Sequence, residues 1–421
     1  MLLIKGGKVV GTNSETADIL VEDRKIIRVA EKIEKTEKME VIDATGFVVA
    51  PGLVDVHVHF RQPGFEYKED ILTGSAAAAA GGVTTCLCMP NTSPVTDSAE
   101  IVEEIIEKAK KAPITVLPIG AVTMGQKGKK LTDFDALLKA GVAALSDDGV
   151  PIQSAALTRL AMHRAKTLGL VVISHCEDEE MVKNYAVNEG VVSEKLGLPG
   201  RPAIAEEIMV ARDIMLAQET GSKLHIAHVS TAASVDIIRK AKSVGVTVTA
   251  ETCPQYFSLT EEEVLRQDTL ARINPPLRTV NDVSAIIEGL ADGTIDAIAS
   301  DHAPHSEEEK ALPLPEAPSG MIGLETSLAV TLTYLYHTGK LSLDKIIKLM
   351  SENPQKIFGL SAGKLVEGAL ADIVIFATDE QWTVEPKKFK SKARNTPFGG
   401  VELKGKVKYT ISQGKVIYRD F

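Results

Sequence analysis

The chain has 421 residues, too many for one compact core of ordinary size, so a large domain with a smaller companion is expected. Apolar residues make up 44% and charged residues 25%, as in soluble globular proteins, and a net charge of −10 argues against an extended nucleic-acid surface. No apolar run approaches the roughly 20 residues of a membrane-spanning helix, and MLLIKGGKVV, with Lys5 and Lys8, lacks the apolar core of a signal peptide.

In chain order, the first 50 residues read as short strands and turns. LLIKGGKVV carries Gly6-Gly7 between two apolar runs, a hairpin signal. ADILVEDRKIIRVA repeats the pattern with Asp23-Arg24 at the tip, and MEVIDATGFVVAPG adds another pair of strands. From Pro51 to about Gly363 strand, loop and helix alternate. Eight strand-like runs follow: GLVDVHVHF, VTTCLCMP, ITVLPIGAV, GVAALSDDG, GLVVISHCED, KLHIAHVS, VTVTAETCPQY and IDAIASDHAPH. Helical segments such as AEIVEEIIEKAKKA and QSAALTRLAMHRAKTLG lie between them, and several close on glycine. The C-terminus returns to strands in ADIVIFATDE and FGGVELKGKVKYTISQGKVIYRDF, with Gly405 and Gly414 as turn points. The expected class is α/β: a (β/α)8 TIM-type barrel over 51–363, beside a small β-sandwich built from 1–50 plus 364–421. A doubly wound open sheet is the alternative, and the count of eight favours the barrel. Cys86, Cys88, Cys176 and Cys253 suit a reduced cytoplasm; Cys86 and Cys88, too close for a zinc-ribbon pair and set in an apolar run, read as buried free thiols. Lys127, Lys129 and Lys130 read as a solvated loop.

The chemistry should lie at strand C-termini, which face the mouth of such a barrel. His57, His59 and Arg61 end the first run, Asn91 the second, Asp147-Asp148 the fourth, His175 the fifth, His228 the sixth, and Asp301, His302 and His305 the eighth. Alternation puts 57, 59 and 61 on one face and Val54, Val56 and Val58 on the other, against the helices. Two imidazoles about 7 Å apart along one strand face can converge on one metal ion. His-x-His alone is weak evidence. Single histidines and aspartates at the other strand ends strengthen it. For His175 or His228 alone, and for His225, a hydrogen-bonded core histidine is the plainer reading. His163 and His337 read as surface or structural. Four histidines and two carboxylates exceed the three protein ligands of one catalytic zinc, and two metals sharing a carboxylate fit the count. Such a site makes or breaks an amide-like bond.

VDVHVHFRQPG, PNT, SDDG, SHCED, AHVS, INPPLR and SDHAPH resemble the motifs of dihydroorotases, in the amidohydrolase superfamily, most closely the class I enzymes of bacteria and archaea. The resemblance spans the whole chain, split β domain included. It implies reversible cyclisation of N-carbamoyl-L-aspartate to L-dihydroorotate in pyrimidine synthesis. It implies two zinc ions: one on His57, His59 and Asp301, the other on His175 and His228, bridged by one of Asp147 and Asp148; the motif match favours Asp148, which leaves Asp147 to hydrogen bonds with the backbone or behind the ligands. Hydantoinases and allantoinases bridge with a carbamylated lysine, which ALSDDGVP lacks. Asp301 is implied as the catalytic acid/base. Arg61, which can grip a carboxylate bidentately, joins His59, Asn91 and His305 on the substrate, with Asn274 and the Ser319-Gly320 backbone near the ring. Alone, Asn91 and Asn274 would read as turn residues. Many class I members have Phe-Gly where this chain has Ser319-Gly320, which puts that ring contact in doubt. HSEEEKALPLPEAPSG reads as a mobile loop over the mouth. Some dihydroorotase-like chains only scaffold aspartate transcarbamoylase and lack metal ligands; here all six positions are filled. The resemblance leaves room for a homodimer and for association with that transferase, and indicates neither a nucleic-acid nor a membrane partner.

Overall fold

The computed structural model describes residues 1–11, 16–183, 185–361 and 364–420, so the expected boundary at Gly363 lies outside the described residues. β1 (Leu2–Val9) runs through Gly6-Gly7 instead of turning there. Its pairing with β2 (Ala17–Glu22) slips between Ile4 and Gly7, a β-bulge. The glycines answer a need for space: a Cβ on Gly7 would lie 2.4 Å from Val49 Cγ2. The expected turn at Asp23-Arg24 is present, both residues at positive φ, and joins β2 to β3 (Lys25–Ala30). β4 (Glu40–Asp43) and β5 (Val48–Pro51) do not form a pair; each lies parallel to β1.

The barrel follows. Its strands are β6 (Leu53–Val58), β7 (Val83–Cys88), β8 (Thr115–Pro118), β9 (Leu145–Ser146) and β10 (Val171–Ser174). After two short strands outside it, β11 (Val187–Asn188) and β12 (Gly200–Arg201), come β13 (Lys223–Ile226), β14 (Val248–Thr252) and β15 (Ala297–Ile298). All eight runs expected from the sequence are strands. β6 to β8 form one parallel stretch, and β9, β10, β13, β14 and β15 form another. Parallel bridges from Gly120 to Leu145 and from Val58 to His302 join the two stretches into a ring. The His59 amide donates to the His302 carbonyl at 2.9 Å across the second seam.

The helices between strands start and stop where local chemistry dictates. Helix Ile71–Ala80 is capped by the Asp70 carboxylate, and Ala155–Leu168 by Ser154, ending at Gly169 in the left-handed region. Outward strand residues such as Cys86, Val172 and Ile226 pack with helix residues such as Met162 and Ile238. Inward ones, including Leu87, Ile173 and Ala299, fill the barrel, with Phe358 and Leu360 packed against them.

Strict alternation fails in β6. Val54 and Val56 belong to the inner cluster, and only Val58 joins the helical layer. The cause is a slip in the β6–β7 register between Asp55 and Val58. There Val56 and His57 together occupy the space opposite Leu87, so His57 can turn inward directly after an inward valine.

β16 (Ile373–Thr383), β17 (Glu402–Ser412) and β18 (Lys415–Arg419) complete the terminal module. β16 pairs antiparallel with β5, giving the order β18-β17-β16-β5-β1-β2-β3 from both ends of the chain. β16 has two buried faces. Ile373 and Ile375 enter the terminal core with Ile4 and Ile19, while Val374 and Phe376 pack against the barrel layer. Gly414 does mark a turn, but Gly405 lies within β17. Its Cβ would meet Leu332 Cδ1 at 2.4 Å, so it is a point of close approach. Among the described residues no helix is long and apolar enough to cross a membrane. The four cysteines are buried and form no disulfide.

Candidate active site

The ends of β6, β9, β10, β13 and β15 bring His57, His59, Asp148, His175, His228 and Asp301 into one buried cluster. Asp148 is its centre. Its Oδ1 lies 3.5 Å from each of His57 Nε2, His175 Nδ1 and His228 Nε2, and its Oδ2 lies 3.6 Å from His59 Nε2. Asp301 Oδ1 stands 3.1 Å from His59 Nε2 and 3.6 Å from His57 Nε2. Two groups have ligand atoms close enough for one ion: His57, His59 and Asp301, and His57, Asp148 and His228. His175 joins the second through its Nδ1, 2.8 Å from His228 Nε2. Asp147 points elsewhere: its carboxylate accepts from the Val122 and Thr123 amides and the Thr123 hydroxyl.

The cluster is built for positive charge. His57 Nε2 and Asp148 Oδ1 are fully buried and have no hydrogen-bond partner among the described residues. Burial alone would push the His57 pKa down, yet Asp148 and Asp301 hold it well above the ordinary range. Burial opposes the Asp148 charge as well, yet the charge of His57 and the nearby His175 and His228 imidazoles hold its pKa well below the usual carboxylate range. A divalent cation would satisfy both orphan atoms, and imidazole with carboxylate is a donor set that such ions accept. Arg61, His228 and Asp301 are also held at positive φ, 60°, 33° and 47°. Strain of this kind is concentrated at functional sites.

Behind the cluster lies a layer that the sequence reading missed. Glu251 on β14 accepts from His57 Nδ1 at 2.6 Å and from His225 Nε2 at 3.1 Å, while His225 Nδ1 meets Thr249 Oγ1 at 2.8 Å. His225 is thus a hydrogen-bonded core histidine, as expected, but one that leads to His57. Asn91 Oδ1 lies 2.8 Å from His59 Nδ1. Glu177 sits 3.5 Å from His175 Nε2 and is bridged by Arg201, which also donates to Asn274. Glu251 had a readable signal, an acid within an otherwise buried strand run. Arg201 had none, because its segment lies outside the barrel pattern.

Above the cluster opens a cavity of about 230 Å³. His59, Arg61, Asn91, Asn274, His305, Ser319 and Gly320 all line it, together with Asp148, His175, His228 and Asp301. Only His57 lies beneath its floor, fully buried. A larger cleft beside the terminal sheet, about 400 Å³ around Trp382 and Tyr418, holds none of these groups. Arg61 Nε donates to the Pro304 carbonyl at 3.2 Å, and its Nη2 lies 3.4 Å from His305 Nε2. Burial and then the charges of Arg61, Lys68 and Lys310 push the His305 pKa far down, so the ring is neutral. His302 turns away, 3.5 Å from Glu69. His163 lies part-exposed 3.6 Å from Glu219, and His337 meets the Thr378 carbonyl.

The segment expected to be mobile is instead tied down. Ser306 caps the short helix Glu307–Lys310, and buried Lys310 Nζ donates to the carbonyls of Arg272, Pro318 and Gly320. Arg272 in turn reaches the Leu314 carbonyl. Charge and proline content suggested mobility; interior carbonyls matched to buried cations oppose it.

A closed (β/α)8 barrel, a split terminal sheet and a His/Asp cluster at the strand ends define a metal-dependent cyclic amidohydrolase. The amidohydrolase family model matches residues 203–418 and the dihydro-orotase-like model residues 46–234. The chain is 51% identical over 421 residues to a dihydroorotase of Clostridioides difficile (strain 630), covering 99% of this chain and 100% of that one. It is 50% identical over 422 residues to a dihydroorotase of Pelotomaculum thermopropionicum, covering 100% and 99%. Among solved structures, L-hydantoinase (dihydropyrimidinase) from Arthrobacter aurescens superposes with a TM-score of 0.87 at 27% identity, covering 99% and 96%. The chain belongs to the dihydroorotase family of amidohydrolases.

Two outcomes are expected from this geometry. Glu251→Gln should weaken metal binding by roughly 10–100-fold, because it loosens the partner that orients His57; competition with a chromophoric chelator measures this, and unchanged affinity would show that His57 is held by other means. Burial, then Arg272, lowers the Lys310 pKa from 10.5 to about 7. Between those two pH values the unfolded chain carries a proton that the folded chain lacks, so folding stability rises with pH across that window. Relative to Lys310→Met, the wild type should therefore gain stability from pH 7 towards 10.5 in urea titrations; a constant difference would refute the shift.

Proposed function

We propose that the protein is an active dihydroorotase of the cytoplasm, interconverting N-carbamoyl-L-aspartate and L-dihydroorotate in pyrimidine synthesis. One observation carries the reading: Arg61 and the His/Asp cluster line the same cavity, so a cation for a carboxylate faces a site for amide chemistry. In this reading His57, His59 and Asp301 would hold one zinc ion and His175 and His228 a second, with Asp148 as a ligand shared between them. Two such ions would supply Lewis acidity, giving a more acidic nucleophilic water and a polarised carbonyl.

The chain's own groups do the rest. Arg61 binds the substrate carboxylate, with Asn91 and His305 beside it, and so fixes the ring over Asp301. His305 donates its Nε2–H to the Ser319 carbonyl at 2.9 Å, and so holds the Ser319-Gly320 backbone beside that carboxylate without adding charge. Asn274 and the Ser319-Gly320 backbone border the ring. In ring opening, Asp301 accepts the proton of the attacking water and passes it to the leaving ring nitrogen. Ring closure reverses these transfers. His59, 3.1 Å away, helps hold the Asp301 pKa below the usual carboxylate range against burial, which keeps it a base at neutral pH. The catalytic unit corresponds to residues 51–363 and the terminal module to 1–50 plus 364–421. The reading accommodates a homodimer and a complex with aspartate transcarbamoylase, both visible by sedimentation with and without that enzyme.

The deciding experiment is turnover of zinc-loaded protein on L-dihydroorotate, hydantoin and allantoin, with a chelator control. Chelator-sensitive turnover of dihydroorotate alone is expected; activity only on the other rings would overturn the substrate assignment. Asp301→Asn should lower kcat by at least about 100-fold, and near-normal turnover would remove Asp301 from its role. Arg61→Met should raise KM by roughly 10–100-fold through loss of a charge-assisted pair, with metal content unchanged by atomic absorption.

A further inference from the structure

The terminal module sends a segment back to the cavity. Between β16 and β17 the chain passes behind the loop that carries His305 and Gly320. Asn395 lies at the contact and is 3% exposed. Its Oδ1 accepts from the His305 amide at 3.1 Å. Its Nδ2 donates to the carbonyls of Ala303 at 3.1 Å and Gly320 at 3.0 Å. Its own carbonyl accepts from the Ile322 amide at 2.9 Å. The partners leave no ambiguity of orientation, because two carbonyls require the amide nitrogen and one N–H requires the oxygen. Asn395 does not itself line the cavity; it holds the backbone of residues that do.

The same segment is anchored on both sides. The Glu325 carboxylate accepts from the Lys390 amide at 2.8 Å and the Ser391 amide at 3.2 Å. The Ser391 hydroxyl donates to Glu69, which stands 3.5 Å from His302 Nε2, next to Asp301. So Asn395 is held by the barrel at the point where it holds the loop. A carboxylate in its place would keep the shape and set an acceptor against two carbonyl oxygens.

We propose that Asn395 is a positioning residue for substrate binding: it sets the His305 and Gly320 backbone at the spacing the substrate carboxylate and ring require, which makes the C-terminal segment part of the active site. The inference rests on the dihydroorotase reading above. It implies a change in substrate affinity with the metal cluster intact, since no atom of Asn395 contacts a cluster residue's side chain among the hydrogen bonds described.

The test compares zinc-loaded wild type with Asn395→Asp and Asn395→Ala on L-dihydroorotate, with zinc content measured on each. The expected result is a KM raised roughly 10–100-fold, a kcat within about threefold, and wild-type zinc content. The double variant Asn395→Asp/His305→Ala should show a KM increase well below the product of the two single increases, because both act on one contact. A loss confined to melting temperature or active fraction, with KM unchanged, would overturn the proposal and leave Asn395 a structural residue. Additive effects in the double variant, or failure of both single variants to fold, would overturn it as well. A wild type inert on dihydroorotate but active on another ring would instead overturn the reading on which it rests, and that outcome is seen before any variant is compared.

Discussion

The structure depends on one electrostatic problem, the burial of Asp148. A carboxylate at 3% exposure is unstable unless positive charge or donors surround it. Here four imidazoles face its two oxygens at 3.5–3.6 Å, and Oδ1 still lacks a hydrogen-bond partner among the described residues. With Asp301 alongside, the centre holds two carboxylates at a distance from solvent that favours a cation over any neutral filler. The demand for a metal thus follows from the arrangement of the charges themselves.

That demand propagates outward. An imidazole serves the centre only if the correct nitrogen faces inward, so each ring needs a partner at its other nitrogen. Glu251 does this for His57, Asn91 for His59 and Glu177 for His175. Glu251 also engages His225, whose far nitrogen meets Thr249. The polar core of the barrel is therefore a chain of paired donors and acceptors running from its centre to the cluster. Its strands must hold these partners in register, and the slip in β6 is the local backbone deformation that lets His57 turn in beside Val56.

How much of this the sequence reveals depends on whether a feature is local. Eight apolar runs closed by polar residues show the barrel, because burial on both faces makes a parallel strand legible as a run. The six cluster residues are legible because they sit at one repeated position, the C-terminal end of such a run. The bulge in β6 is not legible, since alternation assigns Val54 and Val56 to the wrong face until β7 is in place. Gly6-Gly7 and Gly405 mislead for a related reason: glycine marks both a turn and a close approach, and only Val49 and Leu332, distant in sequence, show that it is the latter. Arg201, Lys310 and Asn395 carry no pattern at all. Each is polar, distant in sequence from its partners, and meaningful only once the chain is folded.

The likeness to a hydantoinase at a TM-score of 0.87 with 27% identity shows how little the scaffold decides about substrate. The barrel, the split sheet and the cluster position are a platform for opening or closing a cyclic amide. In the proposed reading the substrate is chosen by a few side chains on that platform, above all Arg61, which is held at a φ of 60° and lines the cavity with Asp148. In that reading a neutral ring such as hydantoin would leave the Arg61 guanidinium without a carboxylate to pair with, so discrimination would arise from the penalty on the wrong ligand as much as from attraction to the right one.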